Sequence, residues 1–135
     1  MSFQPGQTVG DYRILAIADT GGMGEVYQTE HIITRRSEAL KILKGGCSGE
    51  FGARFLREIQ VQASLSHPNI AAVHTAFVYG DDLALVMEML DGTSLARILT
   101  GGRIPLATCL AYADQVLAAL EYAHNRGVIH RDVAP

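Results

Sequence analysis

Short apolar-rich runs and one change of period set out the architecture of this chain. Tyr12 to Ala18, rich in Ile, Leu and Tyr, predicts a strand. A glycine cluster turns it, and Glu25 to Glu30 returns as its partner in a glycine-rich hairpin. Ser37 to Leu43 predicts a third strand, ended by Gly45-Gly46. From Phe51 to Leu65 the period changes: Phe55, Ile59 and Ala63 recur every fourth residue, so they share one helical face. His67-Pro68-Asn69 stops that helix, because proline cannot continue it.

Val73 to Tyr79 and Leu83 to Glu88 predict a second hairpin across Gly80-Asp81-Asp82. Asp91-Gly92 breaks the strand, and Ser94 can cap a short helix running to Leu99. Past Gly101-Gly102, Pro105 starts a long helix over Leu106 to Asn125, with Gly127 ending it. Leu106, Leu110, Ala113, Leu117, Leu120 and His124 line one face of that helix. The order predicts an α+β chain. A five-stranded antiparallel sheet carrying one helix spans residues 12–88, a hinge spans 89–92, and a helical part spans 93–135.

Composition narrows the field of functions. With 48% hydrophobic and 19% charged residues over a length of 135, the chain can bury a core and is globular, not disordered. The net charge of −3 arises from interspersed charges with no basic run, which argues against a nucleic-acid partner. Cys47 and Cys109 lie far apart and match no metal spacing. Residues 1–10 lack the basic and apolar regions of a signal peptide, and the apolar stretch Leu83 to Leu90 is too short to span a bilayer. These features predict a reducing, cytoplasmic setting with both cysteines as thiols. A membrane anchor in a longer parent chain is compatible with them.

Four motifs carry candidate chemistry. Gly21-Gly22-Met23-Gly24-Glu25-Val26-Tyr27 is a glycine-rich turn, whose backbone can approach a ligand closely and aim N–H groups at phosphate oxygens. Lys41 follows Ala39-Leu40 on the third predicted strand, Glu58 lies on the helix after it, and His130-Arg131-Asp132 stands near the end. Singly, each has an ordinary explanation: a hairpin turn, a solvated lysine, an exposed helix glutamate, a chance tripeptide. Their order carries the reading. His31, His67 and His74 share no ligand spacing and read as structural or exposed, and Cys47 reads as a loop thiol.

From Tyr12 to Pro135 the four motifs in this order resemble the protein kinases, specifically the bacterial kinases of eukaryotic serine/threonine type; the GGMGEVY wording and the Tyr122 to Asp132 stretch are the most specific parts. The resemblance implies the small lobe and the first large-lobe helices of the kinase fold. It implies phosphoryl transfer from Mg-ATP to a protein serine or threonine hydroxyl, with Asp132 orienting the acceptor and Lys41, paired with Glu58, holding the α- and β-phosphates. Asp19, Gly21, Gly22 and Gly24 fall on the loop over the phosphates. Val26 and Ala39 would roof the adenine and Met87 would back it. The backbone of Glu88 and Leu90 would bond its edge, and Ser94 falls near the ribose. No metal ligand is implied within residues 1–135.

The chain departs from the family pattern in three places. Asp19 stands at the first glycine of G-x-G-x-x-G, which is expected to weaken nucleotide binding without abolishing it. Ala134 stands where the family places a lysine that offers charge to the transferred phosphoryl group. The catalytic-loop Asn, the DFG aspartate and the APE segment have no counterpart up to Pro135. The resemblance therefore implies a fragment of a longer protein, inactive by itself, with its magnesium ligands beyond Pro135. The alternative is a pseudokinase that binds nucleotide or acts as a scaffold. Asp19 and Ala134 favour it, whereas Lys41, Glu58 and Asp132 favour the enzyme.

Overall fold

The computed structural model of the chain describes residues 2–21, 24–47 and 49–129. It divides into two compact units, Met1–Ser64 with Ala72–Leu90, and Leu65–Ala71 with Asp91–Pro135. In the first, strands β1 (Thr8–Val9), β2 (Tyr12–Gly21), β3 (Gly24–His31) and β4 (Ser37–Leu43) precede helix α1 (Gly49–Ala63). Strands β5 (Val73–Tyr79) and β6 (Asp82–Glu88) follow it. All six strands form one antiparallel sheet in the order β1-β2-β3-β4-β6-β5.

The sheet has one strand more than the five expected. β1 is only two residues long, too short for any periodicity to register, yet Val9 is fully buried against the sheet. The predicted bounds of β4 and β5 coincide with the observed ones, and α1 begins and ends two residues before its expected limits.

Alternation along the strands sorts the side chains into two layers. Leu40 and Ile42 of β4 join Val9, Tyr12, Ile14, Tyr27, Ala84 and Val86 in a cluster on one face, with Phe3 and Phe77 packed at its margin. Leu43 turns to the other face and meets Leu83, Leu85 and Ile59 of α1, with Phe55, Val73 and Met87 beside them. Of the helix face expected from the sequence, Phe55 is half-buried and Ile59 is buried, whereas Ala63, at the helix end, stays exposed.

The buried polar groups of this unit are satisfied. Thr29 Oγ1 donates to the Glu38 carbonyl at 2.8 Å across the β3–β4 pair, and no buried side-chain nitrogen or oxygen among the described residues lacks a partner.

In the second unit, α2 (Leu95–Leu99) starts at Ser94, whose Oγ accepts from the Arg97 amide at 3.3 Å. This is the cap the sequence suggests. α3 (Leu106–Asn125) runs between Pro105 and Arg126. Its Tyr122 hydroxyl accepts from the Ser66 amide at 2.9 Å, while the Arg126 guanidinium lies over the Tyr122 ring at 3.9 Å. Of the apolar face predicted for α3, Leu106, Leu110 and Leu117 are each more than 60% exposed, and Leu120 is half-buried. Among the described residues no helix is long and apolar enough to cross a membrane.

Candidate functional site

Pairing in the sheet places four of the sequence-derived candidates on one face. Val26 of β3 stands opposite Lys41 of β4, which stands opposite Leu85 of β6. One step along, Gln28, Ala39 and Met87 are opposite one another. Residues directly opposite in an antiparallel pair project to the same side, so Val26, Lys41, Ala39 and Met87 share a face. It is the face that carries Leu43, Leu83, Leu85 and α1. Asp19 occupies the register position opposite Val26, just past a bulge that absorbs Ala18.

Lys41 is half-buried, and among the described residues it has neither an ion-pair nor a hydrogen-bond partner for its ammonium. Glu58 lies next to buried Ile59 on α1 and is exposed, and no ion pair joins it to Lys41. An ammonium with no protein anion beside it is available to pair with an anionic ligand.

Gly24 explains the glycine pattern in part by itself. Its φ of +132° disfavours any other residue, and a Cβ built there would lie 2.4 Å from the Ile42 carbonyl oxygen. The close approach of β3 to β4 thus requires glycine, whatever the hairpin binds. Gly21 pairs with Gly24 across the hairpin, while Gly22 and Met23 lie outside the described residues.

At the end of β6, the Glu88 amide donates to the Ala72 carbonyl at 2.8 Å, and its carboxylate accepts from the Ala72 amide at 3.0 Å. The Glu88 amide is therefore already engaged within the protein. Leu90 follows, exposed. Ser94 already uses its oxygen as the cap of α2. His130, Arg131, Asp132 and Ala134 lie outside the described residues, and with them the proposed acceptor-orienting group. Among the described residues no cluster of His, Cys, Asp or Glu is placed to hold a metal ion.

The histidines and cysteines do local work. His31 Nδ1 accepts from the Ile33 and Thr34 amides at 3.2 Å in a turn, and His67 Nδ1 accepts from the Asn69 amide at 3.0 Å. Cys47 and Cys109 are free and exposed, and Cys47 Sγ donates to the Asp82 carbonyl at 3.3 Å.

Sequence reasoning passed over a second group of residues. Glu25 and Tyr27 project from β3 to the face opposite Val26, where the Tyr27 hydroxyl donates a short hydrogen bond to Glu25 Oε2. That bond, with one from Ser2, holds the Glu25 carboxyl below its ordinary range. Burial, with Glu25 next to it, pushes the Tyr27 phenol up. The i, i+2 spacing of Glu25 and Tyr27 within the glycine motif was the available signal, since it puts both on one strand face.

Comparison with known proteins gives the family of the chain. The protein kinase domain family matches residues 12–135. The chain is 40% identical, over 96% of its length, to serine/threonine-protein kinase PknJ of Mycobacterium tuberculosis, of which it spans 22%. It is 39% identical over its whole length to PknF of the same organism, of which it spans 29%. The crystal structure of the Mycobacterium tuberculosis PknI kinase domain superposes with a TM-score of 0.84 at 34% identity, covering 99% of this chain and 56% of that one. The chain belongs to the protein kinase family, among its bacterial serine/threonine-type members. It spans less than a third of the length of these curated relatives.

Proposed function

We propose that this chain supplies the nucleotide-binding face, and with Asp132 the acceptor-orienting group, of an ATP-dependent serine/threonine protein kinase acting in the cytoplasm. The observation that carries the reading is Lys41. It is a half-buried cation without an anionic partner among the described residues, set in one cross-strand row with Val26 and Leu85. Mg-ATP would supply the transferable γ-phosphoryl group, and the donor set fits its triphosphate end. Lys41 would hold phosphate oxygens as a point charge, with Glu58 orienting it. Gly21, Gly22 and Gly24 would offer backbone N–H groups, with Asp19 at the mouth of the same loop. Val26, Ala39 and Met87 would enclose the base, which the Glu88 carbonyl and the Leu90 amide would orient, and Ser94 would sit near the ribose.

The 135 residues contain no Asp-Phe-Gly, so the chain alone is expected to bind nucleotide without transferring phosphate to protein. Transfer would belong to the longer parent protein, whose substrate would present a Ser or Thr hydroxyl.

Titration calorimetry with a non-hydrolysable ATP analogue tests the reading. Wild-type chain should bind, and Lys41→Ala should bind roughly 10- to 100-fold more weakly, the range expected for losing a hydrogen bond to a charged group. Circular dichroism should show an unchanged fold. Equal binding by both proteins would remove Lys41 from the site. Absence of binding by the wild type would favour the scaffolding pseudokinase reading, to which Asp19 in place of the first glycine already points.

A further inference from the structure

Residues Ser2 to Gln7 run across the sheet on the face opposite Lys41, and their contacts converge on the return strand of the glycine-rich hairpin. Ser2 Oγ donates to Glu25 Oε1 at 2.7 Å. The Phe3 amide donates to the Tyr27 hydroxyl at 3.1 Å, and that hydroxyl donates onward to Glu25 Oε2. The Phe3 ring stands edge-on to Tyr27 at 5.7 Å and to Tyr79 at 5.8 Å. Lys44 Nζ lies 3.9 Å from Glu25 Oε1. The segment is pinned behind these contacts as well. The Gly6 amide donates to the Ile14 carbonyl and the Ile14 amide to the Gln7 carbonyl, both at 2.8 Å, while the Gln4 amide donates to Gln7 Oε1 at 2.7 Å.

We propose that Ser2–Gln7 is a positioning strap that fixes the pose of the glycine-rich hairpin from the back of the sheet, with Glu25 and Tyr27 as its anchors. This role in nucleotide binding rests on the function proposed above. The geometry supports it in two ways. Glu25 directly follows Gly24, so the strap grips β3 at the end nearest the turn. Glu25 and Tyr27 also flank Val26, whose side chain is on the Lys41 face. A change in how the strap seats Glu25 must therefore move Val26, because the three residues share one stretch of strand backbone. The anchoring is polar at Glu25 and aromatic at Tyr27, which is completely buried. Releasing the strap would strip Glu25 of one donor and open the Tyr27 hydroxyl to water.

The test uses the whole 135-residue chain as wild type, Ser2→Ala, Phe3→Ala and Phe3→Tyr, read by amide hydrogen exchange and by titration with the non-hydrolysable ATP analogue. Phe3→Ala should speed exchange in residues 17–30 about tenfold while β6 amides keep their wild-type rates, the pattern of a local opening. Ser2→Ala should do the same more weakly, and Phe3→Tyr should restore wild-type rates. Affinity for the analogue should fall several-fold in step with hairpin exchange. Equal acceleration in every strand would reduce the strap to one more piece of core and overturn the proposal, as would unchanged hairpin exchange in Phe3→Ala. Selective hairpin exchange with unaltered analogue affinity would overturn the positioning role. If the wild type binds no analogue, the nucleotide reading fails, and the exchange data still decide whether the strap holds the hairpin.

Discussion

His74 reaches the buried carboxylate of Glu38, with Nδ1 2.5 Å from Oε2. Neither residue stands out in the sequence. A bulge makes the contact: Val73 pairs with Met87 and Thr75 with Val86, so His74 is the extra residue of β5 and is swung out of the regular alternation. Arg36 Nη2 donates to the other ring nitrogen at 2.8 Å, which leaves the proton on Nδ1 and makes it the donor to Glu38.

His74→Ala should therefore destabilise the first unit by about 1–3 kcal/mol, the cost of leaving a buried acceptor without its donor. Glu38 is only 5% exposed, so water can replace the imidazole only in part. Urea unfolding checks the value. The double variant His74→Ala, Glu38→Gln should recover part of the loss, since it removes the stranded charge.

Gly24→Ala should lower stability in the absence of any nucleotide, by roughly 1–3 kcal/mol for a strained backbone conformation. The new methyl would meet the Ile42 carbonyl oxygen, and β3 would have to move away from β4. Thermal unfolding of the ligand-free protein checks this. A loss of nucleotide affinity in this variant would therefore not by itself identify a phosphate contact.

Asp19 pairs with Val26, which in turn pairs with Lys41, and its place in the glycine-rich motif puts both its charge and its backbone to the test in the proposed phosphate loop. If charge dominates, Asp19→Asn and Asp19→Gly should tighten analogue binding equally, and the gain should shrink in high salt. If backbone freedom dominates, only Asp19→Gly should tighten it. Calorimetry at two ionic strengths separates the two. No gain in either variant would take Asp19 out of the nucleotide site.

Glu25 gives a pH dependence of definite sign. The Tyr27 hydroxyl, then Ser2 Oγ, lowers its pKa in the folded protein from the ordinary 4.5. Its contribution is therefore fully present above about 4.5 and is lost as pH falls through the lowered folded value. In Glu25→Gln that part of the acid dependence should vanish. Unfolding midpoints of both proteins between pH 6 and pH 3 check this, and parallel curves would show that Glu25 contributes nothing in this range.

The sequence made some of this structure legible and hid the rest for identifiable reasons. β4 could be delimited because Ala39, Leu40, Ile42 and Leu43 cluster just before Gly45-Gly46, and its pairing then carries Ala39 and Lys41 onto one face. The cap at Ser94 was visible because hydroxyl residues favour that position. β1 was hidden because two residues have no period, and His74 because a bulge breaks the alternation on which strand reading depends. The contact of Phe3 with Tyr27 joins residues far apart in the chain, and neither residue type announces such a partner. Lys41 and Glu58 were paired through family resemblance, and their side chains form no ion pair in the structure.

The interleaving of Glu25, Val26 and Tyr27 along β3 gives the hairpin a kind of reading frame. Each successive residue serves the opposite side of the sheet, so a slip by one position would turn Val26 toward the strap and send Glu25 or Tyr27 to the Lys41 face. Lengthening the turn by one residue threatens that slip, whereas lengthening it by two can keep every side chain on its proper side. A one-residue insertion in the turn would therefore preserve both faces only where a bulge absorbs it, as one absorbs Ala18 in β2.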